Sequence, residues 1–127
     1  MLEKDFQKAV MQLANFRGWR VHHTRTVQVG KNHFTPVVGD RGFVDLVMVH
    51  PAYGCIFVEL KTDRGRVSQH QVDWLDLLEK TGMEVHVWRP QNWDEITVRL
   101  ACNPNNPLFP GDPGYVESEW TIADPQP

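Results

Sequence analysis

Cysteine is scarce in this chain, and its scarcity excludes two classes of protein. Cys55 and Cys102 are the only two, too few for a disulfide framework and at no spacing that suits a zinc site. No apolar stretch approaches the roughly 20 residues needed to cross a bilayer. The opening residues, Met1-Leu2-Glu3-Lys4-Asp5, bring charge at once and run into an amphipathic pattern rather than a secretory core. Internal repeats are missing too. Together these absences lead us to expect a soluble, cytoplasmic protein with reduced thiols, no membrane association and no small-molecule organic cofactor.

A strong charge of either sign is also missing, but the balance is uneven along the chain. The net charge is −3. Residues 1–90 carry 12 Lys and Arg against 10 Asp and Glu, whereas residues 91–127 carry 1 against 6. Between Arg17 and Arg41 lie five basic residues and three histidines, opposed only by Asp40. Such a local excess can follow a phosphate backbone, or it can be an ordinary solvated loop.

Among the residues present, 41% are hydrophobic and 23% charged, which is the composition of a globular domain with a modest core. Phe6, Val10 and Leu13 recur at helical spacing, so residues 2–17 read as an amphipathic helix closed by Gly18. Residues 19–24 alternate as a strand. Residues 25–41 read as a loop or loose hairpin. Two apolar runs, 44–49 and 55–60, flank the turn-forming His50-Pro51-Ala52-Tyr53-Gly54 and read as buried strands. A basic loop follows, then a helix over 68–81 with Val72, Leu75 and Leu78 inward and Gly82 as its stop. Residues 83–88 form a further strand. Asn92-Trp93-Asp94-Glu95 has the pattern of a capping box before a short helix. Trp19, Trp74, Trp88 and Trp93 are expected in the core. The α-β-β-β-α-β order predicts an α/β fold, a small mixed sheet with flanking helices.

We therefore divide the chain into a domain over 1–100 and an acidic tail over 101–127. Residues 103–127 hold six of the nine prolines and are expected to be extended, or to dock on a partner subunit through Tyr115, Val116, Trp120 and Ile122.

The chemistry lies in Gly42-Phe43-Val44-Asp45 and Val58-Glu59-Leu60-Lys61. Charged side chains are rarely placed in buried strands unless paired or bound to metal. An antiparallel hairpin centred on Ala52 pairs Val49 with Cys55, Val47 with Phe57, and Asp45 with Glu59. Opposed residues have Cβ atoms about 4.5–5.5 Å apart, and alternation puts Lys61 on the face of Glu59. Two carboxylates so close repel unless a cation lies between them, and Mg²⁺ is commonly held in this way. A bare charge pair at a strand end would show the same acid–x–lysine pattern.

Residues 3–100 resemble the VRR-NUC family of the PD-(D/E)xK nuclease superfamily. The resemblance rests on Glu3 and Gln7, Gly18-Trp19, His23-Thr24 and Gly42-Phe43-Val44-Asp45. It continues through Val58-Glu59-Leu60-Lys61-Thr62, Gly65, Ser68, Gln71 with Trp74, and Val87-Trp88-Arg89-Pro90. Val44 stands where the family usually has proline, a position that shapes backbone and supplies no catalytic group. The resemblance implies a restriction-endonuclease-like core and a DNA endonuclease dependent on Mg²⁺ or Mn²⁺, working as a homodimer on branched DNA such as a four-way junction.

By the same resemblance Asp45 and Glu59 hold the metal, with the Leu60 carbonyl as a further ligand and Glu3 as a candidate reaching it directly or through water. Lys61 positions the attacking water, and Gln71 lies beside the site. From the sequence alone, Ser68-x-x-Gln71 is equally a capping box. His23, Arg25, Lys31, Arg41, Arg64 and Arg66 are the candidate DNA contacts. The competing readings are a nicking or restriction-type nuclease on linear duplex, and a catalytically silent DNA-binding module of the same fold.

Overall fold

The computed structural model describes residues 2–24, 27–34 and 37–101. The tail beyond residue 101, Arg25, and the expected docking residues Tyr115, Val116, Trp120 and Ile122 lie outside them.

Helix α1 (Glu3–Phe16) buries Phe6, Val10 and Ala14, one residue per turn on a single stripe. It closes as the spacing predicts. Gly18 adopts φ 85°, and the Gly18 and Trp19 amides donate to the Asn15 and Ala14 carbonyls at 3.1 and 2.9 Å. Such a reversal needs a left-handed residue, which glycine supplies without a Cβ clash. Strand β1 (Arg20–His23) follows. The segment expected to be a loop or loose hairpin contains a small hairpin, β2 (Val27–Val29) and β3 (Asn32–Phe34), separate from the main sheet.

Strands β4 (Leu46–His50) and β5 (Gly54–Leu60) occupy the sheet centre, and β6 (Glu84–Trp88) its far edge. The order is β1-β4-β5-β6, with β5 and β6 parallel and the other pairs antiparallel. The expected register is found: Val49 pairs with Cys55 and Val47 with Phe57. A parallel neighbour requires a crossover, and α2 (Gln69–Lys80) provides it. A 3₁₀ turn (Pro90–Asn92) leads into α3 (Trp93–Leu100).

One sheet face, with Leu46, Met48, Ile56, Val58 and Leu60, packs with Phe6, Val10, Trp88, Ile96 and Leu100 into the core. The Trp19 indole donates to the Leu100 carbonyl at 3.1 Å, tying the end of α3 to the start of β1. At the hairpin turn, buried His50 accepts from the Ala52 amide at 3.0 Å through Nδ1 and sits against Trp19 and Tyr53. Burial lowers its pKa, so its neutral form is favoured.

Four expectations fail in the folded chain. No residue of α2 is fully buried and Val72 is 43% exposed; the half-buried residues of α2 are Gln71, Trp74, Leu75 and Leu78. Cys55, expected in a core strand, points to the thinly covered face and is exposed. Trp19 and Trp88 are core residues, whereas Trp74 and Trp93 are half-buried at its margins. Asn92 does not cap α3 with its side chain. Its Oδ1 instead accepts from the Arg89 amide at 2.8 Å and closes the preceding turn.

Candidate active site

The end of the β4–β5 hairpin gathers the charged residues. Extending the register by one pair beyond the ladder sets Asp45 opposite Glu59. Asp45 Oδ2 accepts from the Leu60 amide at 2.8 Å, and its carbonyl accepts from Thr24 N at 2.9 Å. Asp45 is thereby fixed against both neighbouring strands.

Glu59 is 1% exposed. Its Oε1 accepts from Gln71 Nε2 at 3.0 Å and lies 3.9 Å from Lys61 Nζ. Its Oε2 is buried and has no hydrogen-bond partner among the described residues. Burial, then the hydrogen bond that a protonated Glu59 can give to Asp45 and the negative charge of Asp45, push the Glu59 pKa up to about 9 against the pull of Lys61, with Glu3 adding to the rise. An acceptor left bare in the interior is costly. A proton or a cation on that oxygen removes the cost. The donors are carboxylate and carbonyl oxygens, the set that suits Mg²⁺ or Mn²⁺ rather than a thiophilic metal. The residues present therefore fit a divalent ion.

Gln71 resolves the choice that its spacing left open, because it does both things at once. Ser68 Oγ accepts from the Gln71 amide at 3.2 Å and Gln71 Oε1 accepts from Ser68 N at 2.9 Å, closing the capping box. The remaining end of the same side chain, Nε2, reaches Glu59. The first turn of α2 and the buried carboxylate are thus held by one amide.

The turn after Lys61 is held from the far edge of the sheet. Arg89 Nη1 donates to the Thr62 and Gly65 carbonyls at 2.6 and 2.7 Å, and Lys61 N donates to the Trp88 carbonyl at 3.0 Å. In the sequence, Arg89 stands out only as part of a motif. Its role rests on partners 27 and 24 residues away, a separation that no local pattern can carry.

Other candidate residues surround this cluster or stand apart from it. Arg64 and Arg66 are exposed on the held turn, Arg41 on the loop before Asp45, and Lys31 at the tip of the β2–β3 hairpin. His23 pairs with Leu46 and so faces α1, where Gln7 Nε2 lies 2.7 Å from its Nε2. Glu3 is exposed at the start of α1 and acts on Glu59 through its charge. Among the described residues no three His, Cys, Asp or Glu side chains converge as a ready-made ligand group, and no helix is long and apolar enough to cross a membrane.

Residues 37–92 match the family model of the VRR-NUC domain. This segment holds Asp45, Glu59, Lys61, Gln71 and Arg89 together. A solved structure described as a VRR_NUC domain protein shares the fold, with a TM-score of 0.55 at 19% identity over 77% of this chain and 84% of that one. No curated protein matches the sequence.

Proposed function

Starting from a chain that carries a VRR-NUC domain, a nuclease-type domain on a PD-(D/E)xK-like core, we propose a divalent-metal-dependent endonuclease that hydrolyses DNA phosphodiester bonds. The observation that carries this reading is the bare, buried Oε2 of Glu59 beside Asp45.

Asp45 and Glu59 would hold Mg²⁺ or Mn²⁺, joined by the Leu60 carbonyl and, through water, by Glu3. Such an ion, when bound, polarises the scissile phosphate and lowers the pKa of a coordinated water. The chain's own residues do the rest. Gln71 fixes one oxygen of Glu59 and leaves the other open to the site. Asp45 is locked by the Leu60 amide, so its free oxygen keeps a constant direction. Lys61, with its ammonium 3.9 Å from Glu59, orients the attacking water and offsets negative charge growing on the phosphate. Arg89 keeps the turn that follows Lys61 in place. Arg64 and Arg66 on that turn, with Arg41 and Lys31 beyond it, take neighbouring phosphates.

Branched DNA, with the four-way junction foremost, is the substrate the family resemblance implies. A pair of sites related by two-fold symmetry is the geometry that two symmetric cuts require, so the working unit is a homodimer. Purified protein on linear, flapped and four-way DNA, with Mg²⁺, Mn²⁺ or EDTA, tests the whole reading. Metal-dependent cutting strongest on the junction supports it. Full activity in EDTA removes the metal, and equal cutting of all three substrates removes the branch preference. Light scattering tests the dimer.

A further inference from the structure

Beside the carboxylate cluster, between the loop that leads into Asp45 and the outer side of α2, lies an open cleft of about 390 Å³. Its lining includes Asp40, Arg41, His70, Asp73, Trp74 and Leu77. We propose that this cleft is a subsite for one unpaired, unstacked nucleobase of the DNA next to the scissile phosphate. The proposal rests on the nuclease reading for its substrate and adds to it a structural feature that the substrate must present.

The cleft is built into the fold. Gly42 has φ 90°, and a Cβ there would come within 2.5 Å of the His70 carbonyl carbon, so the loop lies directly on the first turn of α2. The Trp74 indole donates to the Asp40 carbonyl at 3.3 Å and meets Phe43 edge-on at 5.0 Å between ring centres. Trp74 is therefore held from two sides while still lining the cavity. Val38, next to the lining loop in sequence, is fully exposed, and Leu77 is 60% exposed. These apolar surfaces are expensive to leave in water.

The lining chemistry selects the occupant. Asp40 and Asp73 oppose Arg41 in the same cleft, so the pocket has no net attraction for a phosphate. A planar, neutral ring suits an indole, an imidazole and a guanidinium together, the groups on which unpaired bases stack. Carboxylates at the margin can accept from an exocyclic amine. Placement agrees with this. His70 immediately precedes Gln71 and Trp74 follows it by one helical turn, and Gln71 is the residue that holds Glu59. A base in the cleft thus belongs to a nucleotide close to the one being cut.

The test compares three duplexes in Ca²⁺ by fluorescence anisotropy: one with a single extrahelical adenine, one with an abasic residue at that place, and one fully paired. Wild-type protein should prefer the adenine over the abasic duplex by about ten-fold, the scale of one stacked base. Trp74→Ala should bind the two alike, Trp74→Phe should keep most of the preference, and His70→Ala at its exposed position should lose part of it. Equal binding of the adenine and abasic duplexes by wild-type protein overturns the subsite without requiring any variant to fold. A full preference retained in Trp74→Ala overturns it as well. Cleavage of four-way-junction DNA in Mn²⁺ is scored separately. Cleavage without a base preference removes the subsite and leaves the nuclease, whereas a Trp74-dependent preference without cleavage supports the subsite and removes the nuclease.

Discussion

Gln71 and Glu59, twelve residues apart, are joined by a 3.0 Å hydrogen bond that ends inside the sheet, while the other end of the Gln71 amide caps its own helix. The orientation of α2 and the orientation of the buried carboxylate are therefore one structural variable.

Gln71→Glu separates the two tasks. A carboxylate still accepts from Ser68 N, so the cap survives and melting changes little. The donor to Glu59 is lost and a second negative charge faces it. Cleavage should fall by about 10–100-fold, the usual effect of removing a group that orients a metal ligand. Normal cutting with normal melting would return Gln71 to a capping role alone.

Asp45→Asn, Glu59→Gln and Lys61→Ala should each reduce cleavage to near background with the fold intact. Glu59→Gln should also melt higher than wild type at pH 8 without metal, because Glu59 must take up a proton to fold at that pH and the neutral glutamine carries no such cost. Circular dichroism and a metal-supplemented cleavage assay read both effects. Wild-type rates in Asp45→Asn would remove the proposed mechanism.

The raised pKa of Glu59 has a defined sign in stability. In the folded protein the group keeps its proton up to about pH 9, while in the unfolded chain it loses it near 4.5. Between those values the folded state binds more protons, so stability falls as pH rises. The contribution is fully present below the unfolded value and is lost through the folded one. The metal-free protein should melt at least ~4 °C lower at pH 8.5 than at pH 5, about one kcal/mol for a chain of this size. Mn²⁺ should recover most of that loss at the higher pH and little at the lower. A Glu59→Gln chain with the same pH slope as wild type would assign the slope to another group.

Arg89→Ala should loosen the turn that follows Lys61. Two hydrogen bonds from a charged donor to the Thr62 and Gly65 carbonyls are lost, a change of about 1.5–3 kcal/mol in chemical denaturation. Cleavage should fall even where the protein remains folded. Unchanged activity in a destabilised variant would limit Arg89 to a packing role.

Gly42→Ala asks an alanine to adopt φ 90° and to place its Cβ 2.5 Å from His70. The expected loss is about 1–3 kcal/mol, with the loop displaced from α2 and Asp45, three residues on, disturbed with it. A variant equal to wild type in melting and cleavage would show that the loop is not held there.

The elements were legible in the sequence because their signals are local. Covalent geometry sets strand alternation and helix periodicity, so Phe6 and Val10 on α1, the apolar strands, and the helix stops at Gly18 and Gly82 can each be read from near neighbours. The hairpin register belongs to the same class, since a short turn fixes which residues oppose, and the turn residues alone therefore pair Asp45 with Glu59. Val72 misled because helical spacing defines a stripe but not how much of it a neighbouring sheet covers. Asn92 misled because a capping pattern is also satisfied by the turn before it. What only the tertiary structure decided are the contacts made by the crossover of α2 from β5 to β6. The crossover brings Gln71 to Glu59, leaves a glutamate oxygen bare in the interior, and carries Arg89 to the turn behind Lys61. It also lays the Gly42 loop on His70, opening the cleft at Trp74. Their physical origin is the burial of helices against a shared sheet, an effect of the whole chain that no window of neighbouring residues contains.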